Sequence, residues 1–102
     1  MAANIVYSPE AVDHLAVLAK SDQVVVLDQV DRLLKDDPTA VSRKRKFLRP
    51  NAIAAWELRL GDLRVFYDVS VELPTQQATV VIKAIGKKVH NELWIGTERI
   101  VL

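Results

Sequence analysis

The stretch that decides the fold is Trp56-Glu-Leu-Arg-Leu-Gly-Asp-Leu-Arg-Val-Phe-Tyr-Asp68, where apolar and polar residues alternate on both sides of Gly61-Asp62. A Gly-Asp pair between two alternating runs predicts a β-hairpin with a two-residue turn. The predicted cross-strand pairs are Leu60 with Leu63, Arg59 with Arg64, Leu58 with Val65, Glu57 with Phe66 and Trp56 with Tyr67. The two members of each pair share one face of the sheet.

Two arginines, Arg59 and Arg64, therefore face each other across the predicted hairpin. Opposed like charges destabilise a sheet by a few tenths to about 1 kcal/mol, so the pair predicts a site for an anion, with phosphate as the first candidate. The alternative is two separate surface arginines, each bridged to an acidic neighbour such as Glu57, Asp62 or Asp68.

The composition, with 50% hydrophobic and 26% charged residues, is that of one domain over residues 1–102. A chain of this size buries one modest core, so we expect function on an exposed face. The chain has no cysteine and two histidines, which excludes thiol chemistry, and we expect no metal and no cofactor. The N-terminus lacks a basic and apolar leader, and no window approaches the roughly 18 apolar residues of a membrane helix. A cytoplasmic protein without membrane contact is predicted.

Charge is segregated along the chain. Residues 1–42 hold three basic and seven acidic residues, a net charge of −4, whereas residues 43–102 hold eleven basic and six acidic residues, a net charge of +5. A basic half on a near-neutral chain predicts an anionic partner such as RNA, DNA or an acidic protein segment. The alternative is a set of solvated charges on unrelated faces.

The acidic half predicts a strand and a helical hairpin. Asn4–Tyr7 is β-prone, and Ser8-Pro9-Glu10 is a strong helix start, with a capping serine, a proline and an acidic residue in the first turn. Lys20-Ser21-Asp22 predicts a break and a new cap, and the second helix is expected to end before Asp37-Pro38. The apolar positions predicted to cover a sheet are Val12, Leu15, Leu18 and Ala19 in the first helix, and Val26 or Leu27, Val30, Leu33 and Leu34 in the second.

The basic half predicts the sheet. Phe47-Leu48 and a turn at Pro50-Asn51 precede the hairpin strands, near residues 55–60 and 63–71, and a central strand at residues 79–85 ends at Gly86. Residues 87–95 fit either a helical turn or a loop, and residues 98–102 can add a short terminal strand. The predicted fold is α+β, with the N-terminal strand and helical hairpin packed on one face of a mostly antiparallel sheet of about four strands.

The two faces of the predicted hairpin differ in polarity. The apolar face is expected to pack under the helices; it carries Trp56, Leu58, Leu60, Leu63, Val65, Tyr67, Val69 and Val71. The polar face is expected to be open to solvent and functional; it carries Glu57, Arg59, Arg64, Phe66, Asp68 and Ser70.

Two motifs give the chain a family resemblance. Leu-Arg-x-Gly-x-x-Arg-x-x-Tyr spans residues 58–67, and Ile-Gly-Lys-Lys-x-His spans residues 85–90. With the short strand and helical hairpin that precede them, they make nearly the whole chain resemble the RelE/ParE superfamily of type II toxin-antitoxin toxins. In the RelE-like branch the resemblance implies cleavage of mRNA in the ribosomal A site, without a metal, on a concave basic sheet face.

The resemblance also implies site residues. Arg64 matches the arginine of the family's Arg-x-x-Tyr strand, Arg59 matches a basic position on the preceding strand, and Lys88 matches a basic residue after the Gly-Lys pair. Two positions depart from the pattern. Trp94 stands where the nuclease branch often has tyrosine, and Glu57 stands where some members have lysine.

The implied chemistry is attack of a ribose 2′-OH on the adjacent phosphate, which gives a 2′,3′-cyclic phosphate and a free 5′-OH. The catalytic residues predicted on this basis are Arg59, Arg64 and Lys88 for the charge on phosphorus, and His90 or Glu57 as proton acceptor. Those predicted to bind RNA are Trp94, by stacking on a base, and Lys87, Arg45 and Lys46, by contacting the backbone.

Two other functions stay open at this point. A ParE-like inhibitor would bind DNA gyrase without nuclease chemistry, and a non-catalytic homologue would bind only its antitoxin. Glu57 and Trp94 keep the first of these open, whereas an acid-base group beside opposed arginines favours the nuclease. The partners implied by the resemblance are a cognate antitoxin in every case, with mRNA and the ribosome for the nuclease.

Overall fold

The computed structural model describes residues 3–101 and contains two helices and seven strands. Met1, Ala2 and Leu102, the last residue of the predicted terminal strand, lie outside this range. The elements in chain order are β1 (Asn4–Tyr7), α1 (Pro9–Ala16), α2 (Lys20–Leu34), β2 (Arg45–Phe47), β3 (Trp56–Leu60), β4 (Leu63–Glu72), β5 (Gln77–Val89), β6 (Glu92–Ile95) and β7 (Glu98–Ile100). No helix within residues 3–101 combines the length and the apolar character needed to cross a membrane.

The predicted α+β class is confirmed, but the sheet has seven strands rather than about four. The main order is β2-β3-β4-β5-β6-β7, all antiparallel, and β1 pairs in parallel with β5. The difference arises from the length of β5, which is 13 residues. One edge of β5 carries β4, and the other has room for β1 at residues 79–82 and β6 at residues 86–89.

The prediction that the central strand ends at Gly86 is wrong, as are both alternatives for residues 87–95. The strand continues to Val89, turns at His90 and Asn91, and returns as β6. This course requires a glycine at position 86, because β6 passes too close to the backbone of Gly86 to leave room for a side chain. A Cβ atom at Gly86 would lie 2.6 Å from the carbonyl oxygen of Trp94.

The β3–β4 hairpin has the predicted register. Trp56 pairs with Tyr67, Arg59 with Arg64 and Leu60 with Leu63. Gly61 adopts the positive φ of +60° that a tight turn of this kind requires. The local sequence therefore determines both the turn and the face to which each side chain of the hairpin points.

The predicted N-terminal cap is confirmed for α1 but not for α2. Ser8 caps α1 as predicted, because its Oγ accepts a hydrogen bond of 3.1 Å from the backbone N–H of Ala11. The predicted cap of α2 within residues 20–22 is wrong. The helix begins at Lys20, its N-cap is Ala19, and no side chain caps it.

The helices cover one face of the sheet and form the larger core with it. Val26, Val30 and Leu34 of α2 are fully or almost fully buried in that core. Of the alternatives Val26 and Leu27, Val26 is the buried one. Val12 and Ala19 were also expected to cover the sheet, but both are exposed. The sheet residues of this core are Trp56, Leu58, Leu60, Leu63, Val65, Tyr67, Val80, Ile82 and Ile85.

The opposite face is not the open polar surface that alternation predicts. Phe66, expected to be solvent-facing, is fully buried in a second, smaller core with Ala54, Ala84, Leu93 and Ile95. Residues 48–54 and the β6–β7 hairpin cover this part of the sheet. The alternation of apolar and polar residues correctly predicted on which side of the sheet Phe66 lies. It could not show that distant parts of the chain cover that side.

Tyr67 provides a test of the helix-side core. Its hydroxyl donates a 2.7 Å hydrogen bond to the carbonyl oxygen of Pro38, and burial raises its pKa from 10.0 to about 12, although Arg45 opposes the shift. Because the unfolded chain loses this proton first, the stabilisation is complete below pH 10 and is lost as the pH rises towards 12. Tyr67→Phe should therefore cost about 1–2 kcal/mol in urea unfolding at pH 7, and less at pH 11.

Tyr7→Phe is the control for this experiment. Burial, followed by the charge of Asp31, also raises the pKa of Tyr7 to about 12, but its hydroxyl donates no hydrogen bond within residues 3–101. Its cost at pH 7 should therefore be smaller. Equal stability of Tyr67→Phe and the parent at pH 7 would contradict the role given to the Pro38 bond.

Gly86→Ala tests the close approach of β5 and β6. The new methyl group would also lie 2.9 Å from Cγ1 of Ile95, so the strands must separate. We expect a loss of about 1–3 kcal/mol in the free energy of unfolding. Gly61→Ala separates steric crowding from backbone strain, since a Cβ at Gly61 meets nothing within 4 Å but has to adopt a positive φ. A Gly86→Ala variant as stable as the parent would disprove the crowding.

Candidate functional site

A basic groove of about 1220 Å³ lies beside the second core. Its sides come from β2 with the following residues 48–51, and from the β6–β7 hairpin, while β3 and the end of β5 contribute between them. Because both terminal strands of the main sheet order line the same groove, the sheet curves around it. The charged residues that line it are Lys46, Arg49, Arg59, Lys88 and Arg99, which are basic, and Glu57 and Glu92, which are acidic.

Each acidic residue of the groove is paired with an arginine. Arg59 bonds to Glu57 and Arg99 bonds to Glu92, each with an N–O distance of 2.7 Å. The other three basic residues, Lys46, Arg49 and Lys88, have no ion-pair partner within residues 3–101. The groove therefore has a surplus of positive charge that a polyanion can neutralise.

Glu57 lies deep in the groove and is only 6% exposed. Its Oε1 accepts the hydrogen bond from Nε of Arg59, and its cross-strand neighbours are Lys46 on β2 and Phe66 on β4. A buried carboxylate needs such a partner because burial removes its water. The alternative reading of Arg59, a bridge to an acidic neighbour, is thus confirmed for Glu57.

Arg64 pairs with Arg59 in the sheet, but the two guanidinium groups have different partners. Nη1 of Arg64 donates to the carbonyl oxygens of Gly61, at 2.6 Å, and Leu63, at 2.9 Å. Arg64 does not line the groove, and its buried Nε has no hydrogen-bond partner within the described residues. The like charges are thus tolerated because Glu57 compensates one and the turn carbonyls stabilise the other.

Adjacent lysines on β5 point to opposite faces of the sheet. Lys88 lines the groove, and its backbone N–H donates to the carbonyl oxygen of Asp62 at 2.8 Å. Lys87 instead reaches α2, where its Nζ lies 2.8 Å from Oδ2 of Asp22. That hydrogen bond, more than the accompanying charge attraction, raises the pKa of Lys87. The charge of Lys87 is therefore engaged on the helix side, away from the groove.

Trp94 and His90 do not line the groove. Trp94 is the cross-strand partner of Lys87 and shares its face of the sheet, where it is 38% exposed. His90 is exposed in the turn between β5 and β6, with a φ of +51°, and the next residue, Asn91, lines the groove. Trp94 therefore lies outside the groove, although its partner on β7, Arg99, lines it, whereas His90 lies beside the groove.

The side chains of Arg45 and Lys46 also have different surroundings. Nη1 of Arg45 donates to the carbonyl oxygens of Leu33, at 2.9 Å, and Asp37, at 2.7 Å, which ties β2 to the end of α2. Lys46 lines the groove. Of the residues predicted from the sequence, the groove brings together Glu57, Arg59, Lys88 and Lys46, and it leaves out Arg64, His90, Trp94, Lys87 and Arg45.

Arg49 and Arg99 also line the groove, although no sequence pattern predicted them there. Arg49 lies in a segment held by Asn51, whose Nδ2 donates to the carbonyl oxygens of Arg49 and Ala54. Oδ1 of Asn51 accepts from the backbone N–H groups of Ile53 and Ala54. The Pro50-Asn51 turn signal was visible in the sequence, but nothing local indicated that the turn forms a side of the groove.

No protein-family model matches the chain, and no curated protein matches it. The resemblance to RelE/ParE toxins rests on the sequence motifs described above and stays a prediction.

The two neighbouring lysines provide a matched test of the groove. Lys88→Ala should weaken binding of a single-stranded oligonucleotide and lower the slope of log K against log salt by about 0.7–1, because one phosphate contact is lost. Lys87→Ala removes the same charge from the other face and should leave the slope unchanged. Fluorescence anisotropy over a salt series measures both. Equal effects of the two changes would show that net charge, rather than the groove, controls binding.

Proposed function

We propose that this chain is the toxin component of a type II toxin-antitoxin system, a RelE-like endoribonuclease that cleaves ribosome-bound mRNA in the cytoplasm and so inhibits translation. The observation that carries the proposal is the basic groove, which three basic side chains without an ion-pair partner within residues 3–101 line together with an arginine anchored to a buried carboxylate. The sequence motifs of residues 58–67 and 85–90 supply the family.

In this proposal the groove holds one RNA strand by its phosphates. Lys46, Arg49 and Lys88 come from β2, the segment after it and β5, so three separate parts of the chain contribute positive charge to the groove. Such a distribution suits a chain of singly charged phosphodiesters. Flexible lysines give affinity that depends on salt and little on base sequence.

Cleavage follows from the same contacts. The 2′ oxygen attacks the adjacent phosphorus, a 2′-O–P bond forms, and the P–O5′ bond breaks to leave a 2′,3′-cyclic phosphate. Arg59 and Lys88 stabilise the charge that develops on the non-bridging oxygens. His90, next to groove residue Asn91, accepts the 2′ proton on a ring nitrogen, and the leaving 5′ oxygen takes a proton from solvent.

A second candidate function is binding without cleavage, either to DNA gyrase or to an antitoxin alone. One observation favours it. Arg64, Lys87 and Trp94, which the family resemblance brought forward, do not line the groove, and His90 lies only beside it. In both cases we propose a cognate antitoxin as partner, on the family resemblance.

The decisive experiment is translation of a defined mRNA by purified ribosomes. We expect the parent chain to cut the message and leave 2′,3′-cyclic ends, and Arg59→Ala to slow cutting about 10²- to 10³-fold, the range for loss of one charge-stabilising donor. His90→Ala should slow it about 10²-fold or more.

Arg32→Ala is the matched control, because Arg32 pairs with Asp28 on the exposed side of α2. It should cut at the parent rate. Intact message with the parent protein, together with loss of gyrase supercoiling, would replace the nuclease with the gyrase inhibitor. Intact message with unaffected supercoiling would favour the non-catalytic homologue.

A further inference from the structure

We infer that Glu57 is a positioning residue, which fixes the guanidinium of Arg59 for phosphate binding, and is not the proton acceptor of the reaction. The inference rests on the proposed function and refines it. It concerns one contact, the 2.7 Å hydrogen bond from Nε of Arg59 to Oε1 of Glu57.

The geometry of that bond leaves the useful end of Arg59 free. A guanidinium offers two edges for bidentate binding, one formed by Nε and an Nη, the other by the two Nη groups. Glu57 engages the Nε side, and the Nη groups of Arg59 donate to no atom within residues 3–101. Arg59 lines the groove, so the remaining edge is available to two oxygens of one phosphate.

Burial explains why the carboxylate fixes Arg59 well. The side chain of Glu57 is 8% exposed, whereas that of Arg59 is 45% exposed. Glu57 is buried on β3, which β2 and β4 flank, so it has little freedom to move. It holds the longer side chain of Arg59, which reaches solvent. A preorganised arginine loses less side-chain entropy when it binds a phosphate.

The same contact argues against Glu57 as the base. Accepting the 2′ proton would remove the negative charge that Arg59 is bonded to, at a buried position where that charge has no replacement nearby. The nearest residues across the strands are Lys46, which adds another positive charge, and apolar Phe66. Protonation of Glu57 would therefore leave two cations beside an uncharged group just as the reaction proceeds.

Two substitutions separate positioning from proton transfer. Glu57→Gln keeps an oxygen acceptor for Nε of Arg59 but cannot serve as a carboxylate base, and Glu57→Ala removes the acceptor. Asp28→Asn and Asp28→Ala are the controls, because Asp28 Oδ1 also accepts from an arginine Nε, that of Arg32, on the exposed side of α2. Thermal unfolding of every variant reports folding separately.

Three measurements read out the effect. Anisotropy with a 2′-deoxy oligonucleotide, which cannot undergo the reaction, gives affinity; the ¹H–¹⁵N NMR signal of Arg59 Nε–H gives its hydrogen bond; and ribosome-dependent cleavage across pH gives the rate. In Glu57→Ala, the Nε–H proton of Arg59 loses its acceptor, so we expect it to exchange with solvent faster. This variant should bind the oligonucleotide and cut the message about 10- to 100-fold less well. Glu57→Gln should keep the Nε–H signal of Arg59. Its affinity and cleavage rate should stay within about 3-fold of the parent values, and its cleavage rate should vary with pH as that of the parent does.

Two results would overturn the inference. One is a Glu57→Gln variant that keeps affinity and the Nε–H signal but cuts as slowly as Glu57→Ala, since only proton transfer then remains as the role of Glu57. The other is a folded Glu57→Ala variant with the affinity and Nε–H signal of the parent. Failure of the proposed function is distinguishable, because a parent chain that cuts no message still reports positioning through affinity and the NMR signal.

Discussion

The register of the β3–β4 hairpin is the constraint on which the rest of this structure depends. Side chains of a strand alternate between two faces, so a slip of one residue would exchange the two faces completely. The turn at Gly61, with its positive φ, fixes the register and sends Leu58 and Val65 under the helices. The same register sends Glu57 and Phe66 to the other face. The helix-side core and the groove are therefore two consequences of one turn.

Charge segregation along the chain becomes segregation in space because of the strand order. Every basic residue that lines the groove comes from residues 43–102, the half with a net charge of +5. The helices, from the acidic half, occupy the other face, where Asp22 binds Lys87. A long β5 joins the two halves, since it pairs with β1 on the acidic side and with β6 beside the groove. The groove thus lies on the side of the sheet away from the acidic helices, so a polyanion bound there would meet little repulsion from them.

Features that depend on neighbouring residues could be predicted from the sequence, and features that depend on distant ones could not. The hairpin register, the Ser8 cap and most of the helix-side face follow from local patterns and are confirmed. The exceptions are Val71, which is exposed, and the cap of α2, which no side chain provides. Local alternation predicts that Phe66 faces solvent. The prediction fails because residues 48–54 and the β6–β7 hairpin, which cover Phe66, come from distant parts of the chain. The basic residues show the same limit. Their identities were visible, but only long-range contacts decide that Lys87 bonds to Asp22 and Arg64 to the turn carbonyls, while Lys88 lines the groove.

The basic residues of the groove differ in whether a carboxylate partner restrains them, and this difference has a physical consequence. Lysines without a partner keep their hydration and side-chain freedom until an anion arrives, so they contribute affinity that salt screens and that tolerates many backbone geometries. An arginine bonded through Nε to a buried carboxylate has already lost much of that freedom, and its charge is partly compensated. It therefore adds less to overall attraction and more to the geometry of one phosphate. Under the proposed function, such a groove would attract a polyanion through Lys46, Arg49 and Lys88 and would hold one phosphate in a fixed orientation through Arg59. Affinity and orientation then depend on different side chains and can be changed separately.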